Sequence, residues 1–89
     1  MMEAEIQVKH EHGLHARPAD LFVRTANRFQ SNIQVVNMTT GSNLVNAKSI
    51  IRILGLGVCK DHKIRLIAEG SDEAEAITAL TDLIANNFN

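Results

Sequence analysis

The spacing of apolar residues changes period several times along the chain. Ala4-Glu5-Ile6-Gln7-Val8-Lys9 alternates strictly, the period of a half-buried strand. From about Ala16 to Phe29 the period lengthens. Leu21, Phe22, Thr25, Ala26 and Phe29 fall on one helical face, with Asp20, Arg24 and Arg28 opposite. Asp20 and Arg24 form an i,i+4 pair of favourable orientation, and Arg24 and Arg28 suit the negative end of a helix. Ile33-Gln34-Val35-Val36 reads as a strand and Thr39-Thr40-Gly41-Ser42 as a turn, with Leu44-Val45 as a short return strand. Ser49 to Leu54 predicts a short helix that Ser49 caps and Gly55 ends. Lys60 to Lys63 is a polar turn. Ile64, Leu66 and Ala68 alternate with Arg65, Ile67 and Glu69 as a fourth strand. Gly70-Ser71 opens a last helix, with Asp72, Glu73 and Glu75 at its positive end and Ala76, Ile77, Leu80, Leu83 and Ile84 as its buried stripe.

The predicted order is β-α-β-β-α-β-α. Alternating strands leave one sheet face wet, so the pattern predicts an α+β fold with helices packed on one side of an antiparallel sheet. A ferredoxin-like module that binds a small ligand or a metal has a similar order. At 89 residues the chain suffices for one core and not for two, so residues 1–89 are expected to form one domain.

Composition removes several function classes. A formal charge of −1 leaves no basic stripe for nucleic acid, and Phe22, Phe29 and Phe88 are the only aromatic residues besides histidine. No apolar run is long enough for a membrane span, and Met1 to His12 holds no signal-like stretch. The single cysteine, Cys59, excludes an internal disulfide and reads as a small buried hydrophobe in a reducing compartment, the cytoplasm. The charge is unevenly placed. Residues 1–65 carry nine bases and five acids, whereas residues 66–89 carry five acids and no base.

Chemistry concentrates in Gly13-Leu14-His15-Ala16-Arg17-Pro18-Ala19, between the first strand and the first helix. His15 stands where an N-cap belongs, and the free N–H groups of the first helical turn make an anion site. Arg17 adds a guanidinium fork suited to phosphate oxygens. Both disfavour an imidazolium, which leaves the ring a nucleophile able to carry a phosphoryl group. Pro18 wastes no donor but biases Arg17 away from the helical region, so the helix entry should be irregular. The cluster His10-x-His12-x-x-His15 also offers imidazoles to zinc or copper, but no cysteine or acid completes the set.

The motif around His15 resembles the active-site sequence of the HPr family, the histidine-containing phosphocarriers of the bacterial phosphoenolpyruvate phosphotransferase system. Asn46-Ala47-Lys48-Ser49-Ile50-Ile51 with Leu54-Gly55-Leu56-Gly57-Val58 is similar to that family's regulatory-serine segment. Ile67 to Ala76 is similar to its last strand and helix. The resemblance covers essentially the whole chain. It implies an open-faced β-sandwich, a four-stranded antiparallel sheet with three helices. It further implies a phosphoryl carrier that is not an enzyme in its own right and has no cofactor. His15 would take the group on Nδ1 from phosphorylated enzyme I, Arg17 would steady it, and an enzyme IIA domain would receive it.

Ser49 matches the serine that an ATP-dependent HPr kinase/phosphorylase modifies in some members; its capping role is the plainer alternative. Four large apolar residues crowd the short helix, more than one face can bury. One or two of them, for instance Ile50 and Ile51, are therefore expected to be exposed as a small apolar patch, and with Leu54 and a rim of Arg17, Arg24, Lys48 and Arg52 to form a partner-docking surface. A regulatory paralogue from the nitrogen-linked branch would share His15. The length favours a free carrier, and the resemblance implies a monomer.

Overall fold

A computed structural model describes residues 1–89. Four strands and three helices alternate as β1 (Met2–Gln7), α1 (Ala16–Ala26), β2 (Asn32–Asn37), β3 (Val45–Asn46), α2 (Ile50–Gly55), β4 (Lys63–Glu69) and α3 (Glu73–Ala85). The sheet order is β1-β4-β2-β3, and every pairing is antiparallel. The last strand in sequence is inserted between β1 and β2. In the ferredoxin-like alternative β3 takes that place, so the topology is a different one.

Alternation sets the two faces of the sheet. Ile64, Leu66 and Ala68 of β4 point inward opposite Ile6, Ala4 and Met2 on one side and Asn37, Val35 and Ile33 on the other. Helices cover this face, and Phe22, Ile53, Ile77, Leu80 and Ile84 complete the core. Full burial of a side chain such as Phe22 contributes about 1.5–3 kcal/mol. The open face carries polar cross-strand neighbours, including Arg65, whose Nη2 donates to Glu5 Oε2 at 2.6 Å.

Three details depart from the sequence-based expectation. Helix α1 ends at Ala26 because Asn27, Arg28 and Phe29 continue as turns, and the Asn27 side chain donates to the Val23 and Lys48 carbonyls. The return strand is Val45–Asn46, since Leu44 faces solvent. Cys59 is exposed rather than buried. It sits in the turn after α2, where its backbone N–H donates to His62 Nδ1.

Two polar clips hold loops to this frame. Asn37 is fully buried, and its side chain meets the Leu56 carbonyl, His62 Nδ1 and the N–H groups of Thr39 and Thr40. This satisfies a polar group that would otherwise be costly to bury. The second clip is Asp72. It stands at the N-cap position of α3 but makes no side-chain cap there. Its carboxylate instead accepts from the Ser31 hydroxyl and from the N–H groups of Gln30 and Ser31. Gly70 allows the approach: a Cβ there would collide with Ser31.

The Ser31 hydroxyl, with the Gln30 N–H, holds the Asp72 carboxyl below its ordinary value of 3.8. A lowered folded-state pKa stabilises the fold above the unfolded value, and that stabilisation is lost as pH falls through the folded value. Asp72→Asn is therefore expected to lower the thermal midpoint at neutral pH. The gap from wild type should close as acid protonates the native carboxyl. Circular dichroism melts across this range check it, and a gap that persists unchanged into strong acid would contradict the assignment.

Candidate functional site

His15 is the N-cap of α1. Its backbone is extended (φ −130°, ψ 163°), and its side chain makes no capping hydrogen bond, so the half-buried ring is uncommitted. The loop that presents it is fixed from behind. Leu14 is fully buried and donates its N–H to the Val58 carbonyl at 3.0 Å, while Gly13 donates to the His10 carbonyl at 2.9 Å. Gly13 has φ +60°, and a Cβ on it would run into the Val58 carbonyl oxygen. Only glycine meets both demands.

The irregular helix entry falls one residue earlier than Pro18 alone suggests. Ala16, not Arg17, leaves the ordinary regions, with φ +51°. This left-handed conformation costs an L-residue with a Cβ about 1–2 kcal/mol. It lies immediately beside the candidate nucleophile, where strain held by surrounding structure often accompanies function. Pro18 is buried in the first turn, and the Ala19 N–H approaches the His15 carbonyl only at 3.5 Å. Arg17 is exposed and has neither a hydrogen bond nor an ion pair, so its guanidinium is free.

Helix α2 runs antiparallel to α1. The segment after α2 meets the His15 loop through Leu14 and Val58, whereas the residues before α2 meet the end of α1 through Asn27 and Lys48. Eleven helical residues span about 16 Å, so Ser49 lies well away from His15 and the Leu54 end of α2 lies near it. Ser49 caps α2: its Oγ accepts from the Arg52 N–H at 3.3 Å.

Of the apolar residues of α2, Ile53 is buried, while Ile50, Ile51 and Leu54 are exposed, Ile51 at 78%. The expected basic rim divides. Arg52 is exposed without an ion-pair partner. Arg24 donates to Asp20 at 3.0 Å on the α1 surface. The Lys48 ammonium is engaged at 2.6 Å by the Phe29 carbonyl, just beyond the end of α1. It thus serves as a clip between loops, a role its position in sequence did not reveal.

A cleft of about 380 Å³ opens beside the start of α1, lined by His10, His12, Arg17, Pro18 and the chain's last residues, Phe88 among them. The rings of His10 and His12 lie 5.3 Å apart, and Phe88 meets His10 edge-on. The three histidines do not converge with other side chains as a three-ligand metal cluster. The sequence pattern offered no sign that Phe88 would close this cleft, because it follows the last helix in a turn where Asn87 and Phe88 both have positive φ.

The sequence and the fold agree with known proteins. A family model described as the PTS HPr component phosphorylation site matches residues 2–86. The phosphocarrier protein HPr of Haloferax volcanii is 44% identical over 84 residues, which cover 94% of this chain and 93% of that protein. The multiphosphoryl transfer protein of Escherichia coli O157:H7 is 40% identical over 85 residues. The match covers 96% of this chain but only 23% of that relative, so the chain spans about a quarter of its length. The crystal structure of HPr from Thermoanaerobacter tengcongensis superposes with a TM-score of 0.93 at 51% identity, covering 99% of this chain and 96% of that one.

Two substitutions test the loop geometry by denaturant unfolding. Gly13→Ala is expected to cost about 2–4 kcal/mol, from strain at positive φ plus the collision with Val58. Ala16→Gly is expected to leave stability unchanged or to raise it by up to about 1 kcal/mol, because glycine removes the left-handed penalty. A clear loss in Ala16→Gly would show that Ala16 is not strained.

Proposed function

The chain belongs to the HPr family of the phosphoenolpyruvate-dependent phosphotransferase system, and on that premise we propose that His15 is its phosphoryl carrier. The observation that carries this reading is the pairing of an uncommitted imidazole at the start of α1 with an unpartnered guanidinium two residues on. Phosphorylated enzyme I supplies the group. Nδ1 of neutral His15 attacks phosphorus as the bond to the donor breaks, and an enzyme IIA domain then takes the group by the same exchange. Arg17 steadies the phosphoryl oxygens through charge-assisted hydrogen bonds. The protein is an intermediate in transfer and not an enzyme acting alone. No cofactor takes part in this mechanism, and residues 1–89 act as one cytoplasmic, monomeric carrier unit.

Partners dock on the exposed face of α2. Ile50, Ile51 and Leu54 supply the apolar centre, with Arg17, Arg52 and Arg24 as a basic rim and Lys48 bracing its edge. An apolar patch with a positive rim suits an acidic partner face and a short-lived complex. Ser49 provides a second control point. Phosphate added there would stay at the positive end of α2 while placing negative charge on the docking surface, some distance from His15.

Incubation with enzyme I and phosphoenolpyruvate is expected to add one acid-labile phosphoryl group, detected by mass. His15→Ala should lose it entirely, and Arg17→Ala should slow or weaken loading by about 10- to 100-fold. Full loading of His15→Ala would overturn the assignment. Rising salt should weaken docking to enzyme I if the rim contributes, and a flat response would remove it. ATP with the family's kinase should modify wild type but not Ser49→Ala.

A further inference from the structure

We propose that His62 is a positioning residue for His15, acting through the peptide bond between Val58 and Cys59; this rests on the carrier reading above. That peptide unit is held at both ends. Its oxygen, on Val58, accepts the Leu14 N–H at 3.0 Å, and its N–H, on Cys59, donates to His62 Nδ1 at 3.1 Å. The peptide is planar and trans, so its C=O and N–H point in opposite directions along one line of hydrogen bonds. The line runs from the His62 ring to the residue before the phosphoryl carrier. Hydrogen bonds in such a chain polarise one another and strengthen together.

The role of every group in this network is set by a backbone partner. The Cys59 N–H can only donate, so Nδ1 of His62 accepts and the ring's proton sits on Nε2. Asn37 is oriented independently, because its Oδ1 accepts from the N–H groups of Thr39 and Thr40. Its Nδ2 therefore donates, to the Leu56 carbonyl at 3.3 Å and to His62 Nδ1 at 3.2 Å. Asn37 is fully buried, so the imidazole is fastened to the core. The backbone of His62 adds a second tie. Its carbonyl accepts from the Val8 N–H at 2.9 Å, where the chain leaves β1 for the loop that bears His15. One residue thus holds both segments that frame this loop, its approach at Val8 and its support at Val58.

Without the Nδ1 acceptor the Val58–Cys59 plane is held at one end only. Its rotation withdraws the carbonyl from Leu14, whose buried N–H then has no partner. The demand is for an acceptor at one place rather than for an imidazole. Asparagine carries Oδ1 on Cγ, as histidine carries Nδ1, and so supplies it. Leucine has no acceptor, and the oxygen of glutamine lies one bond further out.

The test uses the full chain with enzyme I and phosphoenolpyruvate. In wild type, nitrogen NMR is expected to show the Nε2–H tautomer of His62 and a scalar coupling across the bond from the Cys59 N–H to Nδ1. His62→Leu and His62→Gln are expected to slow the loading of His15 by about ten- to hundredfold, in kcat rather than KM, with His62→Asn within about twofold of wild type. Hydrogen exchange at the Leu14 amide should quicken in the first two variants and not in the third, while the Leu66 amide of β4 keeps its wild-type protection in all. The Nδ1–H tautomer in wild type would overturn the proposal whether or not His62→Leu folds. So would wild-type loading by His62→Leu, a loss confined to KM, or an equal loss in His62→Asn. In each of these cases wild type still loads and the carrier reading stands. Failure of wild type to load at all would overturn both.

Discussion

The placement of the candidate nucleophile depends on one backbone hydrogen bond, from Leu14 to the carbonyl of Val58. Leu14 is wholly buried, so the residue before His15 belongs to the core while His15 itself meets solvent. The loop is thereby anchored within a single residue of its reactive side chain. Gly13 lets the backbone come close enough to Val58 for that bond to form, and Ala16 absorbs the turn in its left-handed conformation on the other side. The rest of the site inherits its geometry from this anchor. Arg17 follows from the helix that starts there, and the end of α2 is held alongside because Val58 is its continuation.

Most of the fold was legible in periodicity. β2, β4 and α3 emerge where alternation or helical spacing places them, and β1 runs two residues earlier than its alternation, because each buries one face against one core. Ser49 as the cap of α2 was equally readable, since a hydroxyl before an apolar run has a local partner in the Arg52 N–H. The roles of Asp72, Asn37 and Lys48 were not. Each makes contacts with residues distant in sequence, and nothing local distinguishes a capping aspartate from one that clips another loop. The burial of Phe88 was hidden for the same reason, as was the strain at Ala16, which arises from the anchor rather than from alanine itself.

Charge divides into groups that hold the fold together and groups left free. Arg65 is engaged by Glu5 and approaches Glu3 on the open sheet face, and Arg24 is engaged by Asp20. Lys48 rests on a carbonyl at the negative end of α1. Arg17 at the start of α1 and Arg52 on α2 remain uncommitted. A nearly neutral chain thus keeps a local positive surface near His15, while the acids of residues 66–89 belong to β4, α3 and its entry.

The strand order carries a consequence for how the chain acquires this shape during synthesis. β4 is the sole partner of β1 and the main partner of β2, yet it is the last strand to leave the ribosome. Met2 must wait for Ala68, and until then β1 is unpaired and β2 has only the two-residue β3 beside it. Closing such long loops is entropically expensive, so the sheet cannot grow vectorially from its first strand. Translation must run almost to the start of α3 before any central pairing exists. Assembly is then a late, concerted event around β4, with β1 and the loop bearing His15 drawn into place by a segment made some sixty residues after them.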